Sequence, residues 1–194
     1  VTSSLRAILF GFLGDVGSKL GISVVALTNR PDRLDDAARD RLTTLPVLHP
    51  TPSELAAIMA IQARRDNIAF NTDEARTVLN DTNAVFSGRQ AVRLLGRAHI
   101  HAARDGRDNI RGTDITTALN ESMTTLGTEE EYQALLAINH TTWAAHLPWL
   151  AEEQLTGTRG TPPTYLVPYI QPNGTLNHTK LRDRLHELEQ RRTH

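Results

Sequence analysis

Val24 to Leu42 reads VVALTNRPDRLDDAARDRL. Its opening belongs to a β-branched-rich apolar run, Ile22 to Leu27, bounded by Gly21 and by Thr28-Asn29-Arg30-Pro31. That is the pattern of a buried strand opening into a turn. Leu34 to Arg39 is rich in Asp and Ala and predicts a short helix, with Asp40 and Arg41 just beyond it. The carboxyl end of a buried strand is where open α/β sheets present functional groups. An Asn amide at that place, here Asn29, is able to donate to a phosphate oxygen and to orient an attacking water. Taken alone, Asn29 is better read as a turn former before Arg30-Pro31.

Upstream, Leu5, Ile8, Leu9, Phe12 and Leu13 recur at helical spacing, and Gly14, Gly17 and Gly21 end that stripe. Helix followed by strand makes residues 1–48 α/β material. Downstream, a brief extended piece around Leu45 to Leu48 is halted by Pro46, Pro50 and Pro52, and a boundary falls near His49. From Thr51 the pattern turns helical. Thr51 and Glu54 are spaced as a capping box, with Pro52 at a position where its missing N–H does no harm. The first stripe is Leu55, Ile58, Met59 and Gln62 or Ala63. A second helix near 73–80 presents Ala75, Val78 and Leu79. A third, from Ser87 to about Arg104, presents Val92, Leu95, Ala98 and Ala102, and a fourth from Thr113 presents Ile115, Ala118 and Leu119. Short polar connections make residues 51–122 a small bundle.

Residues 127–194 read as an extension. A capped helix is expected from Thr128 to about Ile138, then an amphipathic stretch with Trp143, Leu147, Trp149 and Leu150. Thr156 to Thr164 is a Gly, Thr and Pro linker, Tyr165 to Ile170 is expected to be extended, and Asn173-Gly174 is a turn dipeptide. Leu181, Leu185 and Leu188 mark a closing helix.

The order strand, Thr-Asn-Arg-Pro-Asp (28 to 32), Leu-Asp-Asp-Ala (34 to 37), Arg, proline-bearing extended piece and four helices resembles the second half of the AAA+ ATPases, over residues 5 to about 122. The resemblance implies an α/β fragment of a P-loop-type nucleotide-binding core at 1–48, an α-helical lid at 51–122 and a family-specific extension at 127–194, mostly α overall. It assigns sensor 1 to Asn29. It assigns the arginine finger, which acts on the neighbouring subunit's nucleotide, to Arg41; Arg39 is the second candidate, Asp40 interrupting the consecutive Arg pair that related sequences often carry. A guanidinium suits that task as a planar fork of donors for charge developing on a transferred phosphoryl group. Ser87-Gly88-Arg89 opens the third bundle helix, where many members carry a sensor 2 Arg, so Gly88 and Arg89 are candidate nucleotide contacts. The best-known branch with this Thr-Asn-Arg-Pro-Asp motif has a small residue at that position. Arg89, Arg93 and Arg97 also recur every four residues as a basic face that solvation alone explains.

Two apparent motifs fail on chemistry. Gly11 to Lys19, GFLGDVGSK, has Ser18 and Lys19 in the wrong order for a P-loop and follows a helix rather than a strand. Ile8 to Asp15 ends in an Asp but carries a helical stripe, and no Glu follows Asp15. The phosphate-cradling loop and the acidic pair that holds Mg²⁺ are therefore both missing from these 194 residues. Phosphoryl transfer depends on such groups, so this chain alone is not expected to hydrolyse ATP.

Composition excludes other classes. With 21 Lys and Arg against 22 Asp and Glu, net charge is close to zero, unlike a histone-like basic protein. The absence of Cys removes disulfide scaffolds, zinc ribbons, iron–sulfur sites and thiol catalysis. The eight His form no metal-binding spacing: His99 and His101 diverge on a helix, and His140 and His146 lie six apart. The longest apolar run, Ala7 to Gly14, is too short to cross a bilayer, so a cytoplasmic location without membrane contact is expected. The implied activity is binding and hydrolysis of Mg²⁺-ATP to remodel a macromolecular partner. The setting is a homo-oligomeric ring, or an assembly with a partner that supplies the missing half. The competing expectation is a non-enzymatic helical module, either a protein adaptor using the Trp-bearing tail or a nucleic-acid binder using Arg89, Arg93, Arg97 and Arg104.

Overall fold

The computed structural model describes residues 25–34, 36–82, 85–122 and 126–192, together with Gly11 and Gly21. The expected helix at residues 5–13, apart from Gly11, and the two apparent motifs between Ile8 and Lys19 lie outside these residues, as does the first half of the expected strand. Val25 to Thr28 is not a strand, and Val25 and Leu27 are 84% and 89% exposed. A strand is defined by its ladder, and no described segment pairs with this one. The expected extended piece at Leu45 to Leu48 is unpaired as well, with Leu45 and Val47 exposed.

Between these stretches, Pro31–Arg33 forms a 3₁₀ turn and helix α1 covers Asp36–Arg39. The helix expected from Leu34 is thus shorter than its pattern. Pro31 fixes φ at the start of the tight turn, and Leu34 leaves it in an extended conformation, so the helix begins afresh.

Four helices build the first core. They are α2 (Pro52–Arg65), α3 (Thr72–Asn80), α4 (Gly88–Arg104) and α5 (Gly112–Asn120). The Thr51 capping box forms: Glu54 Oε2 accepts from Thr51 N at 2.7 Å, and Thr51 Oγ1 accepts from Glu54 N at 3.4 Å. Asn71 caps α3, accepting from Asp73 N and Glu74 N. Ser87 and Gln90 cap α4 reciprocally at 3.3 and 2.6 Å. Leu55, Met59, Leu79, Phe86, Leu95 and Ile115 fill the centre. On α4 the buried line is Ala91, Leu94, Leu95, Ala98 and Ala102, which places the expected core residue Val92 at the exposed border. Leu95, Ala98 and Ala102 of the expected stripe are buried, and at the first turn the inward position is taken by the small Ala91 beside Val92, which lets the helices approach closely.

A parallel two-strand ladder, β1 (Ala69–Phe70) with β2 (Asn109–Ile110), joins the α2–α3 and α4–α5 connections. Two residues per strand carry no legible period. Beside it, the buried Asp114 carboxylate accepts from Arg107 Nη2 at 2.7 Å, Arg107 Nη1 at 2.9 Å and Arg111 N at 2.8 Å. Glu74 Oε1 accepts from Gly112 N at 2.7 Å. A side chain at Gly112 would meet Glu74 at 3.0 Å and Val78 at 3.2 Å, so only glycine lets the two helices come this close.

The second core is formed by α6 (Thr128–Asn139), α7 (Pro148–Thr156) and α8 (His178–Arg192), with Tyr132, Leu135, Ile138, Leu147, Trp149, Leu181 and Leu188 inside. Arg184 clamps Glu131 with two bonds of 2.8 Å across α6 and α8. Buried Trp149 donates from Nε1 to Gly174 O at 2.7 Å. Gly174 takes the left-handed conformation, φ 87°, that the Asn173-Gly174 turn requires. Thr164–Tyr169 is a 3₁₀ helix, not the extended segment expected at Tyr165 to Ile170. A period of three carries Leu166 and Tyr169 together against the core and leaves Val167 outside, whereas strand alternation would separate them.

Asp114→Ala is expected to lower the unfolding free energy at pH 7 by about 3 kcal/mol, measured by urea denaturation, because Arg107 is left as a poorly solvated charge. The hydrogen bonds from Arg107 hold the Asp114 carboxyl below its ordinary value, outweighing burial, with the Arg111 amide adding to the effect. Its contribution is therefore present above about pH 4 and is lost as pH falls through the depressed folded value, so the penalty should shrink in acid. Trp149→Phe is expected to cost about 1–2 kcal/mol by stranding the Gly174 carbonyl.

Candidate functional site

The turn after Leu27 is built from its own side chains. Thr28 Oγ1 accepts from Arg30 N at 3.0 Å, and Arg33 N closes the 3₁₀ turn on Arg30 O at 3.0 Å. Arg30 reaches Asp32 through a fork, Nε to Oδ1 at 2.8 Å and Nη2 to Oδ2 at 2.6 Å. That fork is the main reason the Asp32 carboxyl lies far below the usual carboxylate range. Pro31 is buried beneath it. Asn29 sits on the bend, exposed, and its amide makes no hydrogen bond among the described residues. The turn is thus held by Thr28, Arg30 and Asp32, which leaves the Asn29 amide open to a ligand.

Arg39 ends helix α1 and Arg41 lies two residues beyond it, and the two are placed differently. Arg39 is half-buried, pairs with Asp36 and lies 3.3 Å from His140 Nε2 through Nη1. Arg41 is exposed and donates from Nη1 to Ala37 O at 2.8 Å. Ala38, just before Arg39, is the buried residue of this short helix. Arg41 is the more exposed of the two, and both make contacts within the chain.

At the start of α4, Gly88 contacts Ile58 Cδ1 at 3.5 Å from the place a Cβ would occupy, and Arg89 is exposed without a partner among the described residues. The basic face is only partly free. Arg97 pairs with Glu121 at 2.9 Å, and His101 shares that carboxylate at 3.1 Å. Among the described residues Asn29 and Arg89 make no hydrogen bond with each other.

Instead, the chain end gathers around the turn. Arg192 of α8 lies 3.4 Å from Asp32 Oδ2, pairs with Glu129 Oε2 through Nε at 2.5 Å and stacks 4.0 Å over the Tyr132 ring. Arg30 Nη2 is 3.9 Å from Glu129. Further along, Thr44 and Thr142 exchange bonds: Thr44 N donates to Thr142 Oγ1 at 2.8 Å, and Thr142 N to Thr44 O at 3.4 Å. Leu48 packs on the second core, and His49 meets Tyr165 edge-on at 5.9 Å. The pairings that residues 30–49 make with the chain end span 98 to 160 positions in sequence, and no local pattern announces them.

A zinc-dependent protease named ATP-dependent zinc metalloprotease FtsH, from Acidothermus cellulolyticus, is 33% identical over 131 residues, covering 65% of this chain and 19% of that protein. Proteasome-activating nucleotidase 2 of Halobacterium salinarum is 36% identical over 102 residues, covering 50% of this chain and 24% of that protein. ATP-dependent zinc metalloprotease FtsH 2 of Salinibacter ruber is 34% identical over 108 residues, covering 53% of this chain and 15% of that protein. The chain is a relative of the AAA+ ATPases. It spans about a quarter or less of the length of these curated AAA+ proteins. No protein-family profile matches it, and no solved structure matches it significantly.

The donors in this chain do not make up a whole nucleotide site of the AAA+ kind. An open amide at Asn29 and exposed guanidinia at Arg41 and Arg89 suit phosphate oxygens, but the residues carry neither a phosphate cradle nor an acidic Mg²⁺ pair. Among the described residues no group of three or more His, Asp or Glu is placed to hold a metal ion, and no helix is long and apolar enough to cross a membrane.

Burial first, and then Arg39, lowers the His140 pKa below 6.5. A neutral His in the fold and a titrating one in the unfolded chain make the contact's contribution complete above about pH 6.5 and diminishing on acidification below it. Arg39→Ala should move the His140 titration upward in an NMR pH series. An unchanged midpoint would mean that the two side chains do not meet in solution.

Proposed function

We propose that this chain is the carboxyl-terminal portion of an AAA+ ATPase that binds and hydrolyses ATP to remodel a macromolecular partner within an oligomeric ring, the phosphate-binding loop being supplied outside these 194 residues. In this reading residues 51–122 act as the lid, Asn29 is sensor 1, Arg41 is the finger completing a neighbouring subunit's site, and Gly88 and Arg89 meet nucleotide from the lid side. The observation that carries the reading is the open Asn29 amide on a braced turn, two residues from a stretch of exposed aliphatic side chains and a short helix from the outward Arg41. Exposure of Val25, Leu27, Leu45 and Val47 supports it further, since aliphatic residues on extended backbone are normally covered by neighbouring strands. Arg39, tied to Asp36 and His140, is assigned a supporting rather than a catalytic part. The ATP-dependent activities named for the relatives favour nucleotide chemistry over a passive adaptor. Pairing of Arg97 with Glu121 weakens the nucleic-acid alternative, which needs unpaired cations.

Calorimetry of the 194-residue chain with Mg²⁺-ATP is expected to show affinity no tighter than about 1 mM. Micromolar binding with turnover would overturn the placement of the phosphate cradle elsewhere. In an assembly that includes the P-loop half, Arg41→Ala is expected to lower kcat by about a thousandfold, the scale at which arginine fingers act, with ATP affinity little changed. Undiminished turnover would remove Arg41 from that role.

A further inference from the structure

The groups around the Asn29 turn come from three remote places in the chain. Arg30 and Asp32 belong to the turn, Glu129 and Tyr132 to the first turns of α6, and Arg192 to the last turn of α8. Two cations and two anions alternate: Arg30 touches both carboxylates and so does Arg192. Side-chain exposures of 39% and 21% for Arg30 and Arg192, against 17% and 49% for Asp32 and Glu129, place the cluster at a boundary between two packed segments rather than in open solvent. The Tyr132 ring fixes the Arg192 guanidinium plane from beneath. Further on, the Thr44–Thr142 exchange, Arg39 against His140 and Leu48 in the second core bind the rest of the segment to the same unit.

We propose that residues 128–192 are not an appended extension but a clamp that sets the conformation of the segment 28–42, with Arg192 and Glu129 as positioning residues for the turn that presents Asn29. The physical argument is one of connectivity. Asn29 has no side-chain anchor of its own, so its direction follows from the backbone of the turn. That backbone is held by the Arg30–Asp32 fork, and the fork is held from outside by Arg192 and Glu129. A displacement of α8, by a partner or by a neighbouring subunit, therefore reaches Asn29 through two ion pairs and α1 through Arg39–His140. The consequence for ATP turnover rests on the function proposed above; the clamp itself does not.

Hydrogen–deuterium exchange on the full chain separates the two. Arg192→Ala is expected to speed exchange of the Arg33 and Leu34 amides, which close the 3₁₀ turn, by about tenfold, while α2 to α5 are unchanged. Arg191→Ala, which loses only its pair with Glu187, should leave the turn as it is. Arg192→Lys should restore part of the protection, since a lone ammonium replaces the charge but not the fork. Coupling is reciprocal, so Asp32→Asn should loosen the last turn of α8. If Arg192→Ala disturbs the turn no more than Arg191→Ala, or if Asp32→Asn leaves 188–192 unaffected, the clamp is wrong. Loosening of α6 and α8 as a whole in Arg192→Ala would transfer the decision to Asp32→Asn, which leaves the second core intact. In the P-loop-bearing assembly, Arg192→Ala should lower kcat with KM unchanged and Arg192→Lys should recover part of it. Loss of exchange protection without any effect of Asn29→Ala on turnover would sink the sensor assignment and leave the clamp standing.

Discussion

Four charges, Arg30 and Arg192 against Asp32 and Glu129, tie the first described turn of this chain to its last helix. Each pair alone is of the partly exposed kind that contributes up to about 1 kcal/mol. Their value lies in geometry. A forked guanidinium accepts few orientations of a carboxylate, and two forks sharing the same two carboxylates accept fewer still. Replacement by apolar contacts would hold the segments together without fixing the direction in which the Asn29 turn faces. The same cluster also makes the segment sensitive to ionic strength, because none of its members is fully withdrawn from water.

The four-helix bundle obeys different physics. Its cohesion comes from an alanine-lined core, reciprocal caps at Thr51 and Ser87, and the buried Asp114, whose bonds to Arg107 and Arg111 lock the start of α5 to the β2 connection. None of these depends on the clamp. The bundle is thus able to keep its shape while the 28–42 segment responds to the second core.

The bundle was legible because its signals are local. A capping box, a Ser-Gly start and stripes at helical spacing are written within a turn or two, and α2 to α5 begin within a residue of where those signals place them. The errors fall where short segments depend on distant partners. Tyr165 to Ile170 is a short apolar run expected to be extended, but docking of Leu166 and Tyr169 on one side selects a 3₁₀ helix. Val25 to Thr28 has strand composition without a described neighbour to pair with. At the candidate site, residue chemistry beside a motif singles out Asn29 and Arg41 as candidates. It does not single out Glu129, His140 and Arg192, because an acidic first turn, a helix-end His and a terminal Arg are ordinary wherever they occur.

Separation of reading group from supporting group has a consequence for how this region tolerates change. Asn29 makes no bond within the described chain, so its replacement is expected to cost the fold little. Asp32 is the opposite case: it accepts from Arg30 and Arg192, and losing its charge leaves Glu129 to balance both guanidinia. Arg39 stands between, half in the helix through Asp36 and half in the second core through His140. The gradient from free amide to doubly held carboxylate runs over the four residues from Asn29 to Asp32. A turn arranged only to change the direction of the chain has no need of it, whereas a turn that must hold one polar group still in open solvent does.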